Sequence, residues 1–255
     1  MEKNENRLNR IMEIIENEKF ASVKRLSKLL NVSEVTIRSD LQILEYKASI
    51  IRTHGGATIE PSLSTEKSIF QRIKINRQLK NRIGKYVVKN FINNNEVVAM
   101  DASTSTFFVA KNLPLDVEFY AVTESTLIAL ELSKRPNVEI ILLGGNYQKK
   151  LNSVGGSMTE EYLKKLNFDK AIVSAGALMP DYGLYDNYSP ETYVKIEMAK
   201  RANEVLAVID STKIGKKLFF NFLQIDQIKK LITDSGAREE DIKIIQGKGV
   251  EVFIA

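Results

Sequence analysis

The sequence predicts an α/β protein: a small N-terminal domain of short helices and a hairpin, followed by a larger, open α/β domain with a mostly parallel sheet. Apolar residues recur at helical spacing in three short segments before residue 47. From residue 97 onward, short apolar runs alternate with amphipathic segments, as in a parallel sheet that helices cover on both faces. The length of 255 residues suits one small and one medium-sized domain.

Three short helices are predicted in the first domain, the first of them over residues 6–17. Their apolar positions are Leu8, Ile11, Met12 and Ile15 in the first helix, Val23, Leu26, Leu29 and Leu30 in the second, and Ile37, Leu41 and Leu44 in the third. Asn31 and Val32 interrupt this pattern, and Ser33 is a favourable N-cap for the third helix. A tight turn therefore joins the second and third helices.

A short hairpin is predicted after the third helix. Residues 50–56 form a strand that ends in a glycine turn, which fits a wing, and the domain is expected to close near Ala57. The residues that follow include Pro61 and Ser62 and lack apolar periodicity, which is typical of a linker. The predicted parts are a winged helix-turn-helix over 3–58, a linker over 59–68 and a second domain over 69–255.

The second domain is predicted to begin with a basic helix from Phe70, in which Ile83, Val87 and Phe91 form an apolar stripe. Strands are then expected at Val97–Met100, Phe119–Val122, Val138–Leu143, Ala171–Val173, Val205–Ile209 and Lys230–Ile232. Helices are expected near residues 105–112, 124–134, 157–166 and 190–202. This alternation is the basis for the mostly parallel sheet.

Composition limits the classes of function. The net charge of +5 permits binding to a polyanion without requiring it. The chain has no cysteine and one histidine, so disulfides and cysteine-ligated metals are excluded, and we expect neither a cofactor nor a bound metal. The N-terminus is charged and no apolar run approaches the roughly 18 residues that span a bilayer, so we expect a cytoplasmic protein with no membrane partner.

The outward face of the third helix has the chemistry to contact DNA. At 100° per residue, this face contains Val35, Arg38, Ser39 and Gln42. Arg38 can donate to guanine, Gln42 can pair with adenine, and Val35 can contact a thymine methyl group. Ser33 and Thr36, near the helix N-terminus, suit phosphate contacts. On these residues alone, a helical docking domain with a solvated polar face remains an equal alternative.

A longer motif favours DNA binding. The sequence VSEVTIRSDL at residues 32–41, followed by RTHGGA at 52–57, resembles the N-terminal domain of the DeoR family of bacterial regulators. The resemblance implies a helix-turn-helix over residues 21–40 and a DNA-contacting wing with Arg52 and His54. The family usually has Arg-Arg-Asp-Leu where this chain has Arg38-Ser39-Asp40-Leu41, so one cation is absent from the outward face.

Polar or small residues follow nearly every predicted strand of the second domain. These segments are residues 101–106 (DASTST), 123–125 (TES), 144–145 (GG), 174–176 (SAG) and 210–213 (DSTK). In an open α/β sheet, ligands bind beyond the carboxyl ends of the strands. The strand ends are therefore predicted to form one binding site.

The chemistry of these residues suits a phosphorylated sugar. Lys195 and Lys213 can bind a phosphate, and Asp101, Asp186 and Asp210 can accept hydrogen bonds from sugar hydroxyls. The hydroxyls of residues 103–106 lead into a helix N-terminus, and Gly144 and Gly145 allow close backbone approach. An ordinary helix N-cap and an ordinary glycine turn remain the alternatives for these two segments.

Residues 69–255 resemble the C-terminal sensor domain of the same family, which is similar to the phosphosugar-isomerase and CoA-transferase fold group. The resemblance implies effector-binding roles for Asp101, Ser103, Thr104, Thr123, Ser125, Gly144, Gly145, Gly176, Lys195, Asp210 and Lys213. It also points to Glu191 and to the pair Ser211 and Thr212. Two departures stand out: Ser103-Thr104 replaces a usual glycine and its neighbour, and Glu124 stands where asparagine is common. A carboxylate at 124 is expected to repel a phosphate.

Taken together, these observations predict a regulator that binds double-stranded operator DNA and represses a sugar-catabolic operon until a phosphorylated sugar releases it. A homo-oligomer, dimer or tetramer, is expected because one recognition helix contacts few base pairs. We expect no enzymatic activity. Two alternatives stay open: a phosphosugar isomerase, and a DNA-binding protein whose C-terminal domain serves only for oligomerisation.

Overall fold

A computed structural model of the chain describes residues 2–18, 20–46, 50–53, 55–58, 67–187 and 190–255. The chain divides into two units, Met1–Arg72 and Ile73–Ala255. Most of the predicted linker lies outside the described residues, so the bounds 3–58, 59–68 and 69–255 stay predictions.

The N-terminal unit consists of three helices and a small antiparallel sheet. Its elements are α1 (Glu2–Glu18), β1 (Phe20–Ser22), α2 (Val23–Leu30), α3 (Glu34–Tyr46), β2 (Ile51–Thr53) and β3 (Gly56–Thr58). The strand order is β1-β3-β2. The predicted helices and wing are present, whereas β1 was not predicted because three residues are too few to show a strand pattern. The apolar stripes of all three helices pack into one core, except for Leu29. Leu29, predicted in the stripe of α2, is 54% exposed because it lies about 60° around the helix from Leu26, beyond the buried face.

Short-range hydrogen bonds define the ends of the helices in this unit. Ser22 Oγ accepts from the Arg25 backbone N at 3.2 Å and begins α2. Asn31, in the left-handed conformation with φ 51°, ends α2. The wing approaches this region so closely that a Cβ at Gly56 would lie 2.2 Å from the Ala21 carbonyl oxygen, which explains the glycine there.

The second unit is built on a seven-stranded sheet, counted within the described residues. Its strands are β4 (Val97–Met100), β5 (Phe119–Thr123), β6 (Val138–Leu142), β9 (Phe168–Val173), β12 (Ala202–Val208), β14 (Lys230–Thr233) and β15 (Glu251–Ile254). All neighbouring pairs are parallel, in the order β15-β14-β12-β9-β4-β5-β6. The direction of strand addition reverses between β4 and β9. This reversal is the topological switch point at which open α/β sheets bind ligands.

Helices cover both faces of this sheet. They are α5 (Arg77–Phe91), α6 (Thr104–Asn112), α7 (Thr126–Leu132), α8 (Ser157–Leu163), α9 (Pro190–Lys200) and α10 (Glu239–Gly247). The short helix α4 (Ile69–Lys74) precedes them and contains the unit boundary in the sequence. The single helix predicted from Phe70 is broken at Asn76, whose φ is 52°. The described structure therefore confirms the predicted fold class.

The strand side chains alternate between two cores, as the two-residue period of a strand requires. Val98 and Met100 of β4 pack with α5, α6 and α7 on one face, whereas Ala99 packs with α8, α9 and α10 on the other. Continuous apolar strands are expected when both faces are buried.

Several short elements were not predicted. They are the hairpin of β7 (Asn146–Gln148) and β8 (Ser153–Gly155), and a second antiparallel sheet of β10 (Ala177–Met179), β11 (Gly183–Asp186) and β13 (Phe220–Gln224). The strand β15 and the helix α10 were also missed. The second antiparallel sheet follows the carboxyl end of β9, so it brings further residues to the switch point.

Candidate functional sites

The face of α3 predicted to contact bases is exposed. Val35 is 77% exposed, and the Arg38, Ser39 and Gln42 positions are also exposed. Arg38 Nη2 lies 3.9 Å from Glu34 Oε2, a long surface ion pair that leaves the guanidinium accessible. These side chains are therefore free of core packing, as contacts to base edges in the major groove would need.

Two hydroxyls predicted to contact phosphate lie at the N-terminus of α3. Ser33 Oγ accepts a hydrogen bond from the Thr36 backbone N at 3.1 Å, and the two hydroxyl oxygens are 2.9 Å apart. The Ser33 hydroxyl therefore acts as an N-cap, and a phosphate contact would be additional to that role.

The wing strand β2 places Arg52 beside the end of α3. Arg52 Nη1 lies 3.5 Å from Glu45 Oε2, and both side chains are exposed. Arg52 is therefore at the surface that holds the exposed face of α3. His54, which was also predicted to contact DNA, lies outside the described residues.

Asp40 sets the rotation of α3 about its own axis. It is 2% exposed, and its two carboxylate oxygens accept hydrogen bonds from Arg7 of α1 at 2.5 and 2.9 Å. A bidentate arginine-carboxylate pair is directional. Arg38 and Gln42 each lie two residues from Asp40, about 200° around the helix, so this pair keeps them facing outward.

Asp101, immediately after β4, joins the two loops at the switch point. It is fully buried. Its Oδ1 accepts from Ser103 N at 3.2 Å and Thr106 Oγ1 at 2.5 Å, and its Oδ2 accepts from Ser174 N at 2.9 Å. Ser174 follows β9, so Asp101 fixes the loop after β4 against the loop after β9. Protein donors thus occupy both oxygens of this predicted effector-binding residue.

Lys195 of α9 brings a buried positive charge to the same point. Its Nζ donates to Asp186 Oδ2 at 2.6 Å and to the Ser174 carbonyl at 3.0 Å, and it lies 3.5 Å from Asp101 Oδ2. Burial lowers the pKa of a lysine, but the carboxylates of Asp186 and Asp101 outweigh burial and raise the pKa of Lys195 above its ordinary value. The lysine is therefore charged, and two carboxylates offset that charge.

Ser103 and Thr104 begin α6 and are both buried. Ser103 Oγ accepts from the Thr106 backbone N at 3.2 Å and lies 2.9 Å from Thr106 Oγ1. The ordinary N-cap, one of the alternatives left open above, accounts for the Ser103 hydroxyl.

Glu124 is fully buried at the end of β5. Its Oε1 accepts from Ala102 N at 2.8 Å, and its Oε2 has no hydrogen-bond partner among the described residues. Burial raises the pKa of this carboxyl well above its ordinary value, and the negative charges of Asp101 and Glu191 raise it further. A raised pKa disfavours the charged carboxylate, which weakens the repulsion expected between Glu124 and a phosphate.

Thr123 and Ser125, on either side of Glu124, hold the start of α7. Ser125 N donates to Thr123 Oγ1 at 3.1 Å, and Ser125 Oγ accepts from Ile128 N at 3.3 Å as the N-cap. Both predicted effector-binding residues are buried. Their hydroxyls have local structural partners.

Gly144 and Gly145, which follow β6, contact α8. The Gly144 carbonyl accepts from Thr159 Oγ1 at 2.7 Å. A Cβ at Gly145 would lie 2.1 Å from Thr159 Oγ1 and 2.8 Å from the Gly155 carbonyl oxygen. Close packing therefore accounts for glycine at position 145.

Gly176, after β9, approaches the carboxylate that holds Lys195. Its backbone N donates to Asp186 Oδ1 at 3.1 Å, and a Cβ at this position would lie 2.5 Å from Leu218 Cδ1. The absence of a side chain lets Leu218 lie over the Gly176 backbone.

Lys213 reaches the same region from the loop after β12, which forms a short 3-10 helix over Ser211–Lys213. Its Nζ donates to the Ala175 carbonyl at 2.8 Å and lies 3.7 Å from Asp210 Oδ2. Its side chain is 20% exposed, whereas the Asp210 side chain is buried. Lys213 is thus the more exposed of the two predicted phosphate-binding lysines.

The structure brings together six of the predicted effector-binding residues through direct contacts or through the backbone of residues 174–176. They are Asp101, Ser103, Gly176, Lys195, Asp210 and Lys213. Asn76, whose amide contacts Asp210, and Ser153, whose hydroxyl donates to Glu191, were not predicted. An asparagine just before a helix was a detectable signal for Asn76, whereas no signal pointed to Ser153.

A cavity of about 380 Å³ lies at the opposite, amino-terminal edge of the sheet. It is lined by Asn95, Glu118, Phe119, Tyr120, Pro136, Asn137 and Glu139. Two carboxylates without a cation make this lining unfavourable for a phosphate.

Within the described ranges, no cluster of three His, Cys, Asp or Glu side chains is placed to hold a metal ion. No helix of the described chain is long and apolar enough to cross a membrane.

Two family models match the chain, one in each unit. Residues 7–62 match the DeoR-like helix-turn-helix domain, and residues 75–235 match the DeoR C terminal sensor domain. The second match alone covers more than half of the chain.

Similarity to characterised sequences extends over nearly the full length. The HTH-type transcriptional regulator GlpR of Haloferax volcanii is 32% identical over 96% of this chain and 96% of its own length. The HTH-type transcriptional repressor GlcR of Bacillus subtilis is 30% identical over 98% and 96%. The HTH-type transcriptional regulator GolR of Listeria innocua is 30% identical over 98% of both chains. The chain therefore belongs to the DeoR family of helix-turn-helix transcription regulators.

Proposed function

We propose that the protein represses a sugar-catabolic operon and is released from its operator when a phosphorylated sugar binds the C-terminal unit. The observation that carries this proposal is the convergence of strand-end residues at the switch point, where Lys195 and Lys213 both approach the backbone of residues 174–176. A sensor domain attached to a helix-turn-helix needs such a site to convert a metabolite signal into DNA release.

The repressor role is supported by the relatives. GlcR of Bacillus subtilis is named a transcriptional repressor, and a 27% identical relative from Escherichia coli O157:H7 is named a putative aga operon transcriptional repressor. We extend this role to the present chain. Because a repressor must reach chromosomal DNA, we propose a cytoplasmic location for the protein.

Operator recognition is assigned to the exposed face of α3 and to the wing. Arg38 and Gln42 provide hydrogen bonds to base edges, and Val35 provides an apolar contact. Ser33, Thr36 and Arg52 border this face and suit the phosphate backbone. We further propose a homo-oligomer, because two symmetry-related recognition helices would contact two half-sites of an operator.

The phosphate of the effector is assigned to Lys213. Lys195 already holds two carboxylates at 2.6 and 3.5 Å, so little of its charge is left to attract an anion. Lys213 is partly exposed, and its Nζ lies 3.7 Å from Asp210 Oδ2, a longer separation than either carboxylate has from Lys195. A phosphate at Lys213 would gain a charge-assisted hydrogen bond. The raised pKa of Glu124 weakens the repulsion expected between its carboxyl and an anion at this end of the sheet.

Arg38→Ala should weaken binding to the preferred operator about tenfold or more, because a bidentate arginine-guanine contact contributes about 1–3 kcal/mol. The operator is first selected with the wild type from a random duplex library, and affinity is then measured by fluorescence anisotropy at fixed salt. Arg10→Ala is the matched control, since Arg10 is an exposed α1 arginine paired with Glu13 and its loss removes the same charge. Wild-type affinity and base preference in Arg38→Ala would refute the assigned face.

A phosphorylated sugar should bind at least about tenfold more tightly than its unphosphorylated form, because each charge-assisted bond to the phosphate contributes roughly 1.5–3 kcal/mol. Calorimetry with triose, pentose and hexose phosphates and the free sugars measures the difference. Lys213→Ala should reduce affinity for the phosphate ester but not for the free sugar, whereas Lys216→Ala, at an exposed neighbouring position, should reduce neither. Equal affinities for both sugar forms would remove the phosphate from the mechanism.

Glu124→Gln should stabilise the protein increasingly as pH rises above the ordinary range of a glutamate. The folded state raises the pKa of Glu124, so between the unfolded and folded pKa values the folded protein binds more protons than the unfolded chain. Wild-type stability then falls with pH by up to roughly 1.4 kcal/mol per unit in that window, whereas glutamine is not subject to this loss. Thermal melts of both proteins across pH test this, with Glu118→Gln, at an exposed site, as control. A constant difference between Glu124→Gln and wild type at every pH would show that Glu124 is ionised in the fold.

A further inference from the structure

Asn76 lies at the break between α4 and α5, four residues after Arg72, the last residue of the N-terminal unit. Its φ of 52° is in the left-handed region, which asparagine tolerates better than most residues. Its side chain does not cap α5. The amide Nδ2 instead donates to Asp210 Oδ1 at 3.0 Å and to Thr212 Oγ1 at 2.9 Å. The start of α5 is thus fastened to the loop after β12.

The loop after β12 also carries Lys213, the lysine assigned to the effector phosphate. Asp234 anchors the start of this loop. Its carboxylate accepts two hydrogen bonds of 2.8 Å, one from the Ser211 backbone N and one from the Ser211 hydroxyl. At its other end, Lys213 Nζ donates to the Ala175 carbonyl. One turn of 3-10 helix therefore connects the candidate phosphate site with the residue that holds α5.

Asp210 occupies the centre of this connection and is incompletely hydrogen-bonded. Its Oδ1 accepts from Asn76 and Thr212, but its buried Oδ2 has no hydrogen-bond partner among the described residues. The cation facing Oδ2 is Lys213, whose Nζ is 3.7 Å away, too far for a hydrogen bond. An anion bound at Lys213 would compete with Asp210 for this charge. Asp210 would then lose part of its attraction to Lys213. The hydrogen bond between Asp210 and Asn76 would change in strength as a result.

We propose that Asn76 is the positioning residue that transmits effector binding from the loop of residues 210–213 to the start of α5, and so to the chain that leads to the DNA-binding unit. This inference rests on the proposed function. Coupling between two sites needs an element whose arrangement both ligands bias. The Asn76–Asp210 hydrogen bond is the candidate for such an element, because it joins the loop that carries Lys213 to the start of α5, and Asn76 itself is not among the residues assigned to the effector or to DNA.

Asn76→Gly tests this role, because glycine adopts the same positive φ but lacks the amide. The full-length protein is titrated with its selected operator, with and without a saturating amount of the sugar phosphate that binds the wild type most tightly. Both affinities measured alone should stay within about threefold of wild type, whereas the factor by which the sugar phosphate weakens DNA binding should fall at least about fivefold or disappear. Asn95→Gly, a second asparagine with positive φ (64°), is the matched control and should keep the full factor.

A second variant guards against a loss of stability in Asn76→Gly. Asn76→Asp keeps the size of the side chain and tolerates the same φ, but its carboxylate cannot donate to Asp210, so it should lose the coupling as well. Full coupling in either folded variant would overturn the inference while leaving the proposed function intact. A wild type that no sugar phosphate releases from DNA would refute the proposed function, and the inference with it.

Discussion

The C-terminal unit depends on the compensation of one buried charge. Lys195 lies at the switch point, where water cannot solvate it, and burial of an unpaired ammonium group costs several kcal/mol. Asp186 at 2.6 Å and Asp101 at 3.5 Å offset that cost. These carboxylates come from β11 and from the loop after β4, and Ser174, after β9, bonds to both Asp101 and Lys195. The partners of the Lys195 ammonium group therefore hold four segments around one point: α9, β11, the loop after β4 and the loop after β9. These segments determine where the candidate effector site lies.

The sequence was sufficient to predict the layers of the fold, because periodicity reports burial directly. The stripe of Ile83 and Val87 and the run Val97–Met100 need no distant partner to be recognised. The strands β10, β11 and β13 were missed because, unlike Val97–Met100, none of them is a continuous apolar run of four residues or more. Their antiparallel pairing depends on long-range contacts. The break at Asn76 was missed because a single residue in the left-handed conformation leaves the apolar stripe of α5 intact.

Sequence patterns located the candidate site more reliably than they defined the role of each residue in it. Residues 101–106 were predicted to lie beyond the carboxyl end of a strand, and they do, but Asp101 and Ser103 bond to protein groups there. Gly145 is required by Thr159 and Gly155, which lie on elements that the sequence did not place beside it. The raised pKa of Glu124 results from its burial and from the nearby charges of Asp101 and Glu191, and the order of residues shows neither of these. Roles set by three-dimensional neighbours were therefore beyond the sequence.

The account joins two sites on one chain, a base-contacting helix face and a phosphate site, through linkage between their binding equilibria. Linkage is reciprocal: the factor by which the effector weakens DNA binding must equal the factor by which DNA weakens effector binding. The most direct test is calorimetric titration of the sugar phosphate into wild-type protein alone and into the protein saturated with operator duplex. We predict weaker binding to the DNA-bound protein by the same factor, at least about fivefold, that the sugar phosphate imposes on operator affinity. Identical effector affinity with and without DNA would contradict the account.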